Sequence, residues 1–233
     1  MTSDQQKARI FGVLYIITFI TSIPALWAYQ PVLDHPVAYI AGAGHDNRIL
    51  FGAFLELLLI IANIGTAVVI FPIVKRLSEG LALGYVTARL VESTFILIGI
   101  VAMVAVVTLR QQDSGGPEGS IAYTLAAIKD WTFILGPGWV VGWGNGLILG
   151  YLMYRSGLVP RQMAMLGLVG GPLIIVSGTL VMFGVDNAGG TLQSLATIPE
   201  FLWELSLGIY CTVKGFRPSP ILGADRLAAA APV

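Results

Sequence analysis

Two charged residues interrupt a long apolar segment in the stretch Ala88-Arg89-Leu90-Val91-Glu92-Ser93. The apolar segment runs from residue 81 to residue 109, and a bilayer-spanning helix needs only about 20 such residues. A charge at membrane depth costs about 2.5–3.5 kcal/mol on insertion scales, so such residues usually face a bundle interior or a water-filled cavity. Arg89 and Glu92 are spaced to share one helical face and to pair. The pair predicts either a structural ion pair between helices or a functional polar site.

The composition is that of an integral membrane protein. Hydrophobic residues make up 56% of the 233-residue chain and charged residues 11%, whereas soluble domains carry roughly 25% charged residues. The formal net charge is zero, and the chain has no basic tract of the kind that binds phosphate backbones, so we expect no nucleic-acid partner. The expected partner is the lipid bilayer.

Six stretches are long and apolar enough to span the membrane: 10–29, 49–74, 83–109, 131–154, 163–183 and 198–216. Pro199 opens the sixth, where a helix tolerates proline because the first N–H groups are unpaired. A short interfacial helix is predicted at 121–128, before the fourth span, with Lys129 to Trp131 at the membrane boundary. We therefore expect an all-α integral membrane protein, a six-transmembrane-helix bundle over residues 1–217 that forms one domain. A disordered cytoplasmic tail is expected at 218–233.

The basic residues predict the orientation of this bundle. If the helices alternate in direction, one side carries Lys7, Arg9, Lys75, Arg76, Arg155, Arg161, Lys214, Arg217 and Arg226. The other side carries only Arg48, Arg110 and Lys129. Cytoplasmic loops are enriched in lysine and arginine, so both termini are expected in the cytoplasm.

Glycines recur every four residues in the fourth predicted span, at Gly138, Gly142, Gly146 and Gly150. A stripe of small residues lets a neighbouring backbone approach closely, where dispersion replaces the missing hydrophobic drive. The stripe predicts close helix packing, either within the chain or across a homodimer through the same face.

Polar residues inside the apolar stretches form the candidate site. The candidate catalytic residues are Glu56, Glu92 and Glu204, and the candidate substrate-binding residues are Arg89, Asn63, Asn145, Trp143, Trp203 and Glu200. The three catalytic candidates lie roughly 8–12 Å inside the nearest boundary at about 1.5 Å per residue, so they can approach one another. Because several carboxyls face one internal arginine, we expect at least one carboxyl to keep its proton. That suits either a proton relay or mere tolerance of burial.

The sequence predicts no metal site and no cofactor. His35 and His45 occur near Asp34 and Asp46 in the first outer loop, but their spacing matches no recognised metal site. Both histidines lie outside the predicted spans, so haem between the helices is not expected. The single cysteine, Cys211, excludes an intramolecular disulfide and is expected to pack as a small hydrophobe.

Several segments together carry a family resemblance. They are Arg89-Leu90-Val91-Glu92, Leu135-Gly136-Pro137-Gly138, residues 150–161, Pro199-Glu200-Phe201-Leu202-Trp203-Glu204 and Lys214-Gly215-Phe216. In these motifs the chain resembles a bacterial membrane family described as a domain of unknown function, DUF4386, over nearly its whole length. The resemblance implies a multi-pass protein of the bacterial plasma membrane, and it brings no activity with it.

Three functions fit this pattern. The first is an intramembrane site that binds an amphipathic small molecule or lipid, or acts on it as an enzyme, with buried carboxyls as proton donors and aromatic faces that stabilise a cation. The second is a proton-coupled small-molecule transporter with Glu56, Glu92 and Glu204 as the relay. The third is a non-catalytic membrane partner protein whose charges only fix helix packing. Whether the protein is an enzyme stays open at this point.

Overall fold

A computed structural model describes residues 2–42, 45–112 and 118–222, and every regular element among them is helical. The elements are α1 (Ser3–Asp34), α2 (Pro36–Ala41), α3 (Asp46–Val74), α4 (Glu79–Gln112), α5 (Glu118–Phe133), two π-helical segments (Ile134–Val140 and Gly142–Leu149), α6 (Gly150–Ser156), α7 (Arg161–Met182), α8 (Thr191–Val213) and a 3₁₀ turn (Pro220–Leu222). Five helices are long and apolar enough to cross a membrane: α1, α3, α4, α7 and the continuous run Glu118–Ser156. The fold is therefore that of an all-helical, multi-pass membrane protein.

The sixth predicted span corresponds to α8, which is not among these five helices. α8 has 23 residues and begins at Thr191, so Pro199 lies inside the helix. The prediction that Pro199 stands in the first turn was wrong. The first residues of the helix, Thr191 to Ser194, are mostly polar, and this concealed where the helix begins. α8 packs against both α1 and α7. Such tertiary packing can override the local penalty that an interior proline imposes.

A separate interfacial helix before the fourth span is not confirmed. Residues 118–156 form one continuous helical run, in which α5 passes directly into the π-helical segments at Ile134. Pro137 lies within the first π-helical segment, Ile134–Val140, and its ring nitrogen cannot donate a backbone hydrogen bond. π-helical turns are rare and occur frequently at functional sites.

The long helices close into a ring. α1 packs between α3 and α8, α4 packs between α3 and the run 118–156, and α7 packs between that run and α8. Gln5, near the start of α1, binds the backbone of Phe216, just beyond the end of α8 at Val213. Gln5 Nε2 donates to the Phe216 carbonyl at 2.7 Å, and Gln5 Oε1 accepts from the Phe216 N–H at 2.9 Å. The beginning of α1 and the end of α8 therefore lie at the same end of the bundle.

The predicted tail falls partly outside the described residues. Ile221 and Leu222 pack against the main apolar core, while residues 223–233 lie beyond the part of the chain that the structure describes. Residues 113–117, a sequence rich in glycine, also lie outside the described part of the chain.

Glycines of the predicted stripe make close contacts within the chain. A Cβ atom added at Gly146 would overlap the backbone of Gly171 on α7, and one at Gly142 would overlap the Ile174 side chain on the same helix. Gly150 also faces α7, whereas Gly138 has only its own helix nearby. Close helix packing is therefore confirmed. The homodimer stays a prediction, and most of the face proposed for it is covered by α7.

We predict that Gly146→Ala lowers the melting temperature of the detergent-solubilised protein by several degrees. The added methyl group must displace the backbone of α7, and overpacking of this kind costs about 1–3 kcal/mol. Gly80→Ala is the matched control, because a Cβ atom at that helical glycine would meet nothing within 4 Å. Equal melting temperatures for the two variants would refute the packing argument.

Candidate functional site

A cavity of about 190 Å³ lies between α1, α3, α4, the run 118–156 and α8. Its polar lining consists mainly of Glu56, Asn63, Arg89, Glu92, Lys129 and Glu204. Its apolar lining includes Ile23, Leu26, Phe133 and Phe201, whose side chains are 41–55% exposed at the surface of the bundle. The cavity thus combines a charged floor, formed by the first set, with an exposed apolar rim, formed by the second.

Arg89, Glu92 and Asn63 form a closed ring of hydrogen bonds. Arg89 donates from Nη1 to Glu92 Oε2 at 2.7 Å and from Nη2 to Asn63 Oδ1 at 2.5 Å. Asn63 Nδ2 in turn donates to Glu92 Oε1 at 3.0 Å. All three residues are buried. The predicted pairing of Arg89 with Glu92 is confirmed, and Asn63 extends it from α4 to α3.

Buried hydroxyl groups surround this ring. The hydroxyls of Tyr15 and Tyr85 lie 3.0 Å apart. Thr66 Oγ1 donates to the backbone carbonyl of Asn63 at 2.6 Å. The Arg89 guanidinium lies 5.6 Å from the centre of the Tyr15 ring, within the range of a cation–π contact. Residues of α1, α3 and α4 therefore converge on one arginine.

Lys129 is the site residue that the sequence analysis missed. Its Nζ donates to both carboxylate oxygens of Glu56, at 2.6 and 2.8 Å, and Tyr29 donates to the same carboxylate at 2.9 Å. Lys129 is only 3% exposed, and it belongs to the continuous run 118–156, so its side chain faces the interior of the bundle. The membrane boundary at residues 129–131 stays a prediction. An excess of buried carboxyls over buried cations was the signal that could have revealed Lys129.

Glu204 has no comparable cation. Asn145 Nδ2 donates a hydrogen bond to Glu204 Oε1, and among the described residues this is the only hydrogen bond to that carboxyl. Asn145 is itself fully buried, and its backbone carbonyl accepts a hydrogen bond from Trp203 Nε1 at 3.0 Å. Asn145, in the π-helical segment Gly142–Leu149, thus holds Glu204 of α8 at the cavity.

The other predicted binding residues do not line the cavity. Glu200 is 2% exposed, and neither carboxyl oxygen has a hydrogen-bond partner within the described ranges. It packs where Gly146 and Gly170 leave room, because a Cβ at either glycine would lie 2.8 Å from Glu200 Oε2. Trp203 is fully buried behind Asn145, and Trp143 is 52% exposed on the outside of the bundle.

This arrangement separates the three predicted catalytic carboxyls into two kinds. Glu56 is held by Lys129 and Glu92 by Arg89, so each belongs to an ion pair. Glu204 also lines the cavity, but it forms no ion pair among the described residues. Over the residues that the structure describes, no three His, Cys, Asp or Glu side chains are grouped to hold a metal ion.

Comparison with known proteins identifies the family. A family model described as "Domain of unknown function (DUF4386)" matches residues 10–215. The match covers most of the chain, so the chain belongs to this family. No curated protein and no solved structure matches the chain.

We predict that Arg89→Met strongly destabilises the protein, because it leaves the Glu92 carboxylate without its cation and Asn63 Oδ1 without its donor. Breaking a buried ion pair typically costs about 3–5 kcal/mol. Glu92→Gln should cost less, because glutamine can still accept from Arg89, and the double variant should recover part of the loss that Arg89→Met causes.

Thermal denaturation in one detergent compares these variants with Arg9→Met, which removes an exposed arginine. Strictly additive losses in the double variant would mean that the two side chains do not interact, contrary to the ring described above.

Proposed function

We propose that this member of the DUF4386 family binds an amphipathic small molecule in the cavity between its helices. The observation that supports the proposal is the contrast between the cavity's charged floor and its exposed apolar rim. A polar head group would lie against the floor, near Glu204, and an apolar chain would pass between Leu26 and Phe133. Ligand sites commonly combine an apolar wall with a few convergent polar groups.

The rim favours a ligand that arrives from the lipid phase. Ile23, Leu26, Phe133 and Phe201 lie on helices that the bilayer would surround, and they are among the large hydrophobic side chains exposed at the bundle surface. A volume of about 190 Å³ is small for a whole drug-sized ligand, since such pockets usually measure about 300–1,000 Å³. It suits a head group and the first carbons of a chain whose remainder stays in lipid.

Catalysis would extend the same proposal. A proton donor has to reach the bound molecule, and Glu204 is the cavity carboxyl without a cationic partner among the described residues. Glu56 and Glu92 would instead shape the field of the site through their ion pairs.

Proton-coupled transport is a second candidate, favoured by the position of Glu200. This carboxyl is buried, has no hydrogen-bond donor among the described residues and lies one helical turn from Glu204. Buried carboxyls of this kind are typical of proton relays in transporters. The relay would then use Glu200 and Glu204 in place of Glu56 and Glu92. A purely structural role for the charges, the third candidate, predicts no bound molecule at all.

The proposal includes a six-span topology in the bacterial plasma membrane, with α8 as the sixth span and both termini in the cytoplasm. It is supported by the basic residues at one end of the bundle, namely Lys7, Lys75, Arg155, Arg161 and Lys214. Lys129 no longer counts against this bias, because it is buried in an ion pair.

We predict that a cysteine introduced at Asn187, in the exposed loop between α7 and α8, reacts with an impermeant thiol reagent on intact cells. A cysteine at Glu79, exposed at the opposite end of the bundle, should react only after the cells are opened. The wild-type protein is the control, since its single cysteine, Cys211, is fully buried. The reverse pattern would overturn the orientation.

Photolabelling tests the binding site. We would use three probes with the same dodecyl chain and a diazirine on that chain, one with a primary amine head, one with an alcohol and one with a carboxylate. At least one probe should label rim residues such as Leu26 and Phe133 well above the other lipid-facing residues, as mapped by peptide mass spectrometry of protein in lipid nanodiscs.

Ser22→Phe should abolish this excess labelling, because Ser22 lines the cavity and the larger side chain would fill it. Thr94→Phe also replaces a small hydroxyl side chain by phenylalanine, but at an exposed position on α4, and it should leave the labelling intact. Uniform labelling of the bundle surface by all three probes would contradict the proposed function.

A further inference from the structure

We propose that the amphiphile bound in this cavity carries a positive charge on its head group, and that Glu204 is the counter-charge that selects it. The inference rests on the proposed function and names the class of molecule that the same cavity would take. Its basis is the balance of charges and hydrogen-bond donors at the floor, where the side chains of Arg89 and Lys129 face three carboxyls.

Both cations of the floor are already neutralised by protein groups. Lys129 contacts both oxygens of Glu56. Arg89 gives one hydrogen bond to Glu92 and one to Asn63. Each pair is charge-neutral and has good geometry, which is the condition under which a buried ion pair is tolerated. Neither pair therefore requires a charged ligand to balance it, and Arg89 Nε is the one buried donor of the two cations without a partner among the described residues.

The region around Glu204 is rich in acceptors and poor in donors. Its carboxyl receives one hydrogen bond, from the neutral amide of Asn145. Behind it, outside the lining of the cavity, the Asn145 Oδ1 atom and both carboxyl oxygens of Glu200 are buried and have no donor within the part of the chain that the structure describes, so they offer Glu204 no further donor. An ammonium group has three donors and no acceptor, and from the cavity it would give the Glu204 carboxyl the positive charge and the N–H group that its protein neighbours do not supply.

The aromatic rim is consistent with such a head group. Phe19 and Phe201 both line the cavity and pack edge to face, with their ring centres 5.2 Å apart. Aromatic faces attract ammonium groups through the ring quadrupole. A cationic head can therefore pass this rim at lower cost than an anionic one.

An anionic amphiphile is the competing class. The floor offers it one buried donor without a partner, Arg89 Nε. An anion there would also have to approach the carboxyl of Glu204, which forms no ion pair among the described residues, and like charges in a site of low dielectric repel strongly. The balance of groups on the floor thus favours the cation.

The three photoreactive probes test this inference in wild-type protein at neutral pH, where the amine is protonated. Labelling of the rim is divided by labelling of other lipid-facing residues in the same sample, which corrects for unequal partitioning into lipid. This ratio should be about tenfold higher for the amine than for the alcohol, because a charge-assisted hydrogen bond is lost with the alcohol.

Glu204→Gln should remove the preference for the amine and leave labelling by the alcohol unchanged. Alcohol labelling of the rim also reports that this variant is folded, and Glu204→Asp, which keeps the charge, should keep the preference if the glutamine variant does not fold. Glu79→Gln neutralises an exposed carboxyl at the end of the bundle and serves as the control.

The possible failures are distinguishable. If the alcohol or the carboxylate labels the rim as strongly as the amine in the wild type, the cavity binds amphiphiles but the charge inference is overturned. The inference is also overturned if Glu204→Gln keeps the preference for the amine. If no probe labels the rim above the background, the proposed function itself fails.

Discussion

A charge placed at the depth of a lipid bilayer needs a partner, and this constraint explains much of the bundle. Arg89 finds its partners on its own helix, in Glu92, and on α3, in Asn63. The exchange of hydrogen bonds is closed, because Asn63 also donates to Glu92. Hydrogen bonds of this kind fix the relative rotation and height of two helices, which apolar contacts in lipid specify poorly. The same logic applies to Lys129 and Glu56, which connect the run 118–156 to α3.

Small residues perform the complementary task on the other side of the ring. Gly142, Gly146 and Gly171 bring the π-helical segments against α7. This approach buries Asn145 and Trp203 and places Glu204 at the end of the cavity. Hydrogen bonds between side chains thus join α3 to α4 and to the run 118–156, whereas backbone contact joins that run to α7. The cavity is lined by residues from α1, α3, α4, the run 118–156 and α8.

The unequal treatment of the carboxyls connects this architecture to function. A protein that only had to tolerate buried charge would pair each carboxyl with a cation or remove it, since an unpaired buried polar group is costly. Here two carboxyls are paired, while Glu204 has a single neutral donor and Glu200 has none among the described residues. Of these last two, Glu204 lines the cavity with the apolar rim, and this placement is the physical reason to expect a ligand there.

The sequence by itself determined the membrane class, the approximate position of the spans and the pairing of Arg89 with Glu92, because length, apolarity and helical spacing are local properties. It also indicated that Glu56, Glu92 and Glu204 could approach one another, and all three line the cavity. It could not pair Lys129 with Glu56, since these two side chains lie on different helices and are 73 residues apart in the chain. It likewise misplaced the start of α8 and assigned Trp143, which is exposed, to the site. The tertiary structure alone decided which carboxyl at the cavity has no ion-pair partner among the described residues, because this depends on which cations reach which carboxyls across different helices.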